Sequence, residues 1–184
     1  MAGLDVSAGG GGRAALLLDR DGVLNVDEGY CYDPSRLLWV TGARQAVKTA
    51  NDAAVLVLVV TNQSGIGRGY YTEAQMHAFH AAMQAGLAEV GARIDAFYFC
   101  PFQEDAVEAR YRIANHPDRK PNPGMLLSAM ADWNVDPARA VMIGDKPSDM
   151  KAAARAGIEG LMFDGGDLLA FVRPLLARLA PEAQ

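Results

Sequence analysis

Five short apolar runs, one of them interrupted by Asp95 and each ending in a cluster of polar turn residues, constrain this chain more than any other feature. They are Ala14–Leu18, Val55–Val60, Ile94–Phe99, Ala140–Ile143 and Gly160–Phe163. A strand wetted on one face alternates apolar and polar residues. These runs do not alternate, so both of their faces must be covered, as in a parallel sheet between helices.

Helical signals fill the intervals. Thr72 is a candidate N-cap, with Gln75 completing a capping box and Tyr71 able to staple onto Met76. Met76, Phe79, Met83, Leu87 and Val90 then recur at helical spacing until Gly91 stops the run. Asn122-Pro123 opens a helix with proline at its first position, carrying Met125, Leu126, Met130 and Trp133. Ser148 caps another, which Gly157 ends. Further helices are expected near Ala43–Asn51 and Leu168–Leu179, the second interrupted by Pro174. This alternation predicts an α/β protein: a doubly wound parallel sheet with helices on both faces and right-handed crossovers.

Composition narrows the setting. The 184 residues suit a single domain, residues 14–184, behind a flexible Gly-rich tail of residues 1–13. No apolar run approaches the roughly 20 residues that span a bilayer. The tail lacks the basic start and apolar stretch of a signal peptide, so a soluble cytoplasmic protein is expected. Cys31 and Cys100 form no CxxC pair and exclude a disulfide framework. A net charge of −5 argues against a general nucleic-acid binder. An anionic ligand would need positive charge concentrated locally.

Every polar cluster sits at the carboxyl end of an expected strand, where open parallel sheets place their ligands. Asp19-Arg20-Asp21-Gly22 ends the first, and by itself reads equally well as a polar turn. Thr61-Asn62-Gln63-Ser64-Gly65 ends the second; a hydroxyl and successive N–H groups there can hold a phosphoryl oxygen. Lys120, in Arg119-Lys120-Pro121-Asn122-Pro123-Gly124, adds its charge to that of a helix N-terminus. Gly144-Asp145-Lys146-Pro147-Ser148-Asp149-Met150 supplies a second acidic cluster.

In this order the clusters resemble the four motifs of the haloacid-dehalogenase (HAD) superfamily, over about Ala14 to Phe163. The resemblance implies that Asp19 attacks phosphorus and that Asp21 is general acid, then base. Thr61 and Lys120 would complete the catalytic set. An Asp nucleophile divides one displacement by water into two through an aspartyl-phosphate. The second Asp protonates the departing alkoxide and later deprotonates water. Facing carboxylates and phosphate repel one another, so a hard divalent cation, Mg²⁺, is implied, held by Asp19, the Asp21 main-chain carbonyl and Asp145. For Asp149 two readings stand open: an outer partner of the site, or an acidic residue in a helix's first turn.

Only 40 residues separate Asp21 from Thr61, too few for a large cap, and the interval from Thr61 to Lys120 is equally committed. A minimal cap is expected. The extended motifs, with Asp27-Glu28-Gly29-Tyr30 and Ile66-Gly67-Arg68-Gly69, resemble the D-glycero-D-manno-heptose 1,7-bisphosphate 7-phosphatase branch. That branch also holds histidinol-phosphatases. The resemblance implies a Mg²⁺-dependent phosphomonoesterase that removes the C7 phosphate in nucleotide-activated heptose biosynthesis. Asp27, Glu28, Gly29, Tyr30, Asn62, Gln63 and Ser64 would bind substrate. Arg119 would recognise the distal phosphate or sugar, and Lys146 a phosphate; Arg68 either joins them or is a surface charge.

The partner implied is a small phosphorylated sugar, with no nucleic acid and no membrane, bound by a monomer. Histidinol-phosphatase is the alternative. A polynucleotide 3′-phosphatase fits less well without a basic stripe carrying stacking aromatics. A catalytically silent binding protein on the same scaffold conflicts with the intact motif set.

Many relatives hold zinc in a loop with the pattern Cys-x-His followed by Cys-x-Cys. Here the positions read Cys100-Pro101-Phe102 and His116-Pro117-Asp118. Cys100, His116 and Asp118 are at most three ligands, where a structural zinc normally has four. No structural zinc is therefore expected; Phe102, Val107, Tyr111 and Ile113 would pin the loop by packing.

Overall fold

The structure, a computed structural model, describes residues 12–180. Its strands are β1 (Arg13–Leu18), β2 (Leu56–Asn62), β3 (Ala96–Cys100), β4 (Val135–Gly144) and β5 (Glu159–Met162). They form one sheet in the order β3-β2-β1-β4-β5, with every neighbouring pair parallel. Arg13 pairs with Val135 ahead of a register shift, which starts β4 well before the expected Ala140. The same pairing makes Arg13 the first residue of β1 rather than the last of a tail; the tail up to residue 11 lies outside the described residues.

Among the described residues six α-helices flank the sheet: α1 (Ala43–Asp52), α2 (Ser64–Gly67), α3 (Glu73–Ala88), α4 (Gly124–Asp132), α5 (Pro147–Ala156) and, after the last strand, α6 (Leu168–Leu179). The capping box of α3 forms as expected: Gln75 N donates to Thr72 Oγ1 at 3.2 Å and Thr72 N to Gln75 Oε1 at 2.9 Å. Helix starts were read less well elsewhere. Pro123 is the cap of α4 and not its first residue. Lys146, not Ser148, caps α5, because Pro147 takes the first position, where its fixed φ and missing N–H cost nothing. Pro174 does not interrupt α6, whose buried Leu168, Val172, Leu176 and Leu179 anchor it on both sides of the proline. The single turn α2, directly after β2, had no sequence signal.

Alternate residues of each strand feed two separate cores. Leu16, Leu18, Val57, Val59, Val141 and Ile143 face α1, α3 and α6 through Val47, Phe79, Met83 and Val172. Leu17, Leu58, Val60 and Met142 face α4 and α5 through Leu126, Ala129, Ala152 and Ala153. Each such Val or Leu contributes roughly 1.5–3 kcal/mol of burial, so the central strands cannot slip without exposing one core or the other.

That register sets the site. Leu18 lies beside Val59 on one side and Ile143 on the other. The next residues, Asp19, the end of β2 and Gly144-Asp145, therefore leave the sheet side by side at its carboxyl edge. Among the described residues, the β1–α1 connection holds only a short turn, Pro34–Arg36, and the β2–β3 connection only α2 and α3, so the edge carries no large cap.

Candidate active site

Asp19 is nearly buried, 6% exposed, at the tip of β1. Its N–H donates to Ile143 O at 2.9 Å, and its Oδ1 accepts from Arg20 N at 2.8 Å. Lys120 Nζ approaches that oxygen to 3.1 Å, donates to Val60 O at 2.8 Å and lies 2.7 Å from Asp149 Oδ1. Burial pushes the Asp19 carboxyl up to about 6, with Lys120 pulling against it. Burial also opposes charge on Lys120, but Asp19 and Asp149 outweigh it and raise its pKa, so the lysine stays cationic.

Asp149 makes two contacts at once. Its Oδ2 accepts from Lys146 N at 3.0 Å, capping α5, while Oδ1 meets Lys120. The carboxylate fits only because residue 144 is glycine: a Cβ there would stand 2.3 Å from Asp149 Cβ.

The donor set suits a hard divalent cation. Oxygens of Asp19, Asp145 and Asp149 lie within 4.8 Å of one another, and Asp145 Oδ1 is buried with no hydrogen-bond partner. Gly22, at φ +86°, lets the chain turn against Asp145; a Cβ there would come within 2.4 Å of Asp145 Oδ2. Asp149 Oδ1 is likewise buried without a hydrogen bond, although Lys120 Nζ stands 2.7 Å away, so each of the three carboxylates has an oxygen to offer. Five carboxylates (Asp19, Asp21, Asp27, Asp145, Asp149) meet three cations (Arg20, Lys120, Lys146) around this edge, leaving two negative charges to balance.

Asp21 is held by four donors. Arg20 Nε and Nη2 reach its two oxygens at 3.1 and 2.9 Å, Asn25 Nδ2 donates to Oδ1 at 2.9 Å, and Gln63 Nε2 to Oδ2 at 3.3 Å. Gln63 also donates to Thr61 Oγ1 at 2.9 Å and accepts from Tyr71 Oη at 2.6 Å. One buried amide thus ties the Thr61 hydroxyl to the Asp21 carboxylate.

A single cavity is lined by Asp21, Asp27, Gly29, Tyr30, Asn62, Gln63, Ser64, Tyr71 and Lys146. It gathers most of the residues expected around substrate. Asn62 and Gln63 reach it with side-chain amides already engaged: Asn62 Oδ1 accepts from Lys120 N at 3.1 Å and its Nδ2 donates to Lys120 O at 3.0 Å. Lys146 Nζ stands 3.1 Å from Asp27 Oδ2 and 3.7 Å from Asp145 Oδ2. Burial acts upward on Asp27, but bonds from Gly29 N–H and Lys146 bring its carboxyl below the usual range. Glu28 turns away to pair with Arg36 at 3.0 Å and lines a neighbouring hollow. Arg119 lies in a different depression with Arg68 and Gln103, donating to Phe102 O at 3.1 Å; Arg68 pairs with Asp105 at 3.1 Å.

In the loop before Lys120, Phe102 stacks on His116, with ring centres 4.0 Å apart, and meets Tyr111 edge-on at 6.0 Å. His116 Nδ1 accepts from Asp118 N at 3.1 Å, and burial pushes the Cys100 thiol up to about 11. Among the described residues, Cys100, His116 and Asp118 do not form a metal-sized cluster. The packing expectation needs correction in part: Tyr111 is buried, but Val107 is 70% and Ile113 40% exposed, so they pin nothing.

Sequence reasoning assigned no role to Arg20, Asn25 or His80, read Tyr71 only as a staple onto Met76, and left Asp149 undecided. Arg20 and Asn25 lie within the first motif; Tyr71 and His80 meet it only through the fold.

Residues 118–168 match the HAD-hydrolase-like family model. The chain is 41% identical over 167 residues, 91% of its length and 92% of the relative's, to a D-glycero-beta-D-manno-heptose-1,7-bisphosphate 7-phosphatase of Rhodopseudomonas palustris. It is 41% identical over 144 residues, 78% of its length and 76% of the relative's, to the corresponding alpha-named phosphatase of Burkholderia mallei. Among solved structures it resembles the D,D-heptose 1,7-bisphosphate phosphatase of B. bronchiseptica, complexed with magnesium and phosphate. The TM-score is 0.75 and the identity 33%, covering 92% of this chain and 89% of that one. With a sheet of this order, acidic clusters at its carboxyl edge and identity of this extent, the chain belongs to the heptose-bisphosphate phosphatase family of HAD-like hydrolases.

Proposed function

We propose that this chain is a Mg²⁺-dependent phosphomonoesterase that removes the C7 phosphate of D-glycero-D-manno-heptose 1,7-bisphosphate through an aspartyl-phosphate. The observation that carries the reading is Asp19, held 3.1 Å from Lys120 at a strand tip, with Asp21 lining the cavity alongside. Its relatives carry that activity in their names.

Asp19 attacks phosphorus, and Lys120 keeps the nucleophile ionised and offsets charge on the phosphoryl group. Thr61 and the N–H groups that follow β2 hold phosphoryl oxygens. Asp21, carrying a proton for this step in place of one of its four donors, gives it to the C7 alkoxide, then takes one from the water that cleaves the intermediate. Asp19, Asp145 and the Asp21 carbonyl would hold Mg²⁺, which when bound neutralises charge between carboxylates and phosphate. Tyr30, Ser64, Asp27 and Lys146 receive the sugar at the cavity mouth, and Arg119 its remote end.

The proposal extends to a monomer acting in the cytoplasm on a small phosphorylated sugar, without a nucleic-acid or membrane partner. It includes a loop held by the Phe102–His116 stack without structural zinc. Among the described residues no helix is long and apolar enough to cross a membrane, and both cysteines are free thiols.

The test is phosphate release from both anomers of the heptose bisphosphate, histidinol phosphate, fructose 1,6-bisphosphate and a 3′-phosphorylated oligonucleotide. Both anomers are needed because relatives of equal identity are named for each. The highest kcat/KM is expected on a heptose bisphosphate, with ³¹P spectra showing the C1 phosphate retained. Preference for histidinol phosphate would overturn the substrate assignment.

A further inference from the structure

Behind Asp21 lies a chain of contacts that the reaction above does not use. Arg20 is fully buried, at 0% exposure. Besides its two bonds to Asp21, its Nη2 donates to Cys31 O at 2.6 Å and its Nη1 lies 3.1 Å from His80 Nε2. The Phe79 ring sits 4.8 Å from the guanidinium carbon. His80, on α3, stacks on Phe97 of β3 with centres 4.2 Å apart and planes 12° from parallel. A guanidinium offers donors only, so His80 Nε2 must be the acceptor and the ring must be neutral with its proton on Nδ1. Burial, then the charge of Arg20, pushes the His80 pKa down to about 3, in keeping with that assignment.

The contacts to Cys31 O and His80 tie distant segments together, but the Arg20–Asp21 pair joins chain neighbours and closes no loop, and burying a guanidinium is costly where an apolar side chain of similar volume would pack freely. What the contacts do fix is the plane of the guanidinium, and through its two bonds the plane of the Asp21 carboxylate. Protons transfer well only across short, aligned contacts.

We propose that Arg20 and His80 are positioning residues. Arg20 holds the Asp21 carboxylate in its working orientation, and neutral His80 holds Arg20. The inference rests on Asp21 being the proton donor and acceptor, and neither residue touches substrate.

The test compares two leaving groups. The C7 alkoxide of a heptose bisphosphate needs a proton to depart, whereas 4-nitrophenolate does not. Replacing His80 by leucine (His80→Leu) should lower kcat on the alkyl ester about 10-fold, with KM within about twofold. The single-turnover rate of 4-nitrophenolate release from 4-nitrophenyl phosphate should stay within about twofold of the parent protein. His80→Gln, which keeps an acceptor, should recover most of the alkyl-ester rate. Arg20→Lys, which keeps charge but loses the paired bonds, should reproduce the selective loss and serves if His80→Leu does not fold. Equal loss on both esters, or no loss on either, would overturn the proposal. If the parent protein prefers another alkyl phosphate, the substrate assignment fails, but the ratio between the two leaving groups is read on that ester instead.

Discussion

Lys120 Nζ and Asp149 Oδ1 stand 2.7 Å apart with each side chain 1% exposed, so the lysine beside the candidate nucleophile is anchored from behind by a second carboxylate. Asp149→Ala would leave Lys120 with only Asp19 to balance it, and would also remove the cap of α5. Breaking a buried pair of this kind costs about 3–5 kcal/mol. Asp149→Asn retains an acceptor for Lys146 N–H and should cost clearly less, while lowering kcat. Urea unfolding of the two variants checks this; an Asp149→Ala protein as stable as the parent contradicts it.

Metal binding should depend on pH in a defined direction. The Asp19 carboxyl is raised from 3.8 to about 6 in the folded state, so its contribution to stability is full below 3.8 and is lost as pH rises through about 6. Above that pH the protein carries a buried charge that a cation relieves. Added Mg²⁺ should raise the thermal midpoint more at about pH 7.5 than at about pH 5, with protons released on binding at the lower pH. An equal or reversed shift contradicts the assignment of Asp19 to the metal.

Tyr71 donates to Gln63 at 2.6 Å, and Gln63 in turn bonds Thr61 and Asp21. Tyr71→Phe leaves a buried carbonyl oxygen without its donor, a loss of about 1–3 kcal/mol. Because Gln63 can then rotate, kcat should fall several-fold while the fold persists. A variant with unchanged kcat and melting temperature would show that Gln63 is fixed by other means.

The loop before Lys120 should hold without metal. Protein purified without chelator should contain no stoichiometric zinc, and Phe102→Ala, which removes the stack on His116, should make the loop more susceptible to proteolysis. Zinc at one tightly held ion per chain contradicts the proposal.

Much of the fold was legible because burial on both faces writes unbroken apolar runs into a sequence. Leu17 and Leu18 point to opposite cores, and at either position a polar side chain would be buried among apolar ones. The capping box at Thr72 and Gln75 was equally plain, being a contact three residues long. The start of β4 was hidden because Asp136-Pro137 reads as a turn, and only its pairing with the start of β1 reveals a strand. Within the site, Asp19, Asp21 and Asp145 could be read from strand-end motifs and Lys120 from the motif just ahead of α4. The Arg20–His80 contact could not, since it joins residues 60 positions apart and needs α3 laid against the first motif. Glu28 shows the converse: its position in the segment Asp27–Tyr30 suggested a substrate contact, and a local pairing with Arg36 turned it aside.

The central claim is that Asp19 becomes phosphorylated. Asp21→Asn removes the base that clears the intermediate and should slow turnover by about 10²–10⁴-fold. Acid quenching of that variant during turnover of 4-nitrophenyl phosphate, whose leaving group departs without a proton from Asp21, followed by borohydride reduction and peptide mass spectrometry, should find Asp19 converted to homoserine, the product of a reduced acyl phosphate. Asp19→Asn should give neither the modified peptide nor measurable phosphate release. Modification at another residue, or hydrolysis by Asp19→Asn near the parental rate, would contradict the account.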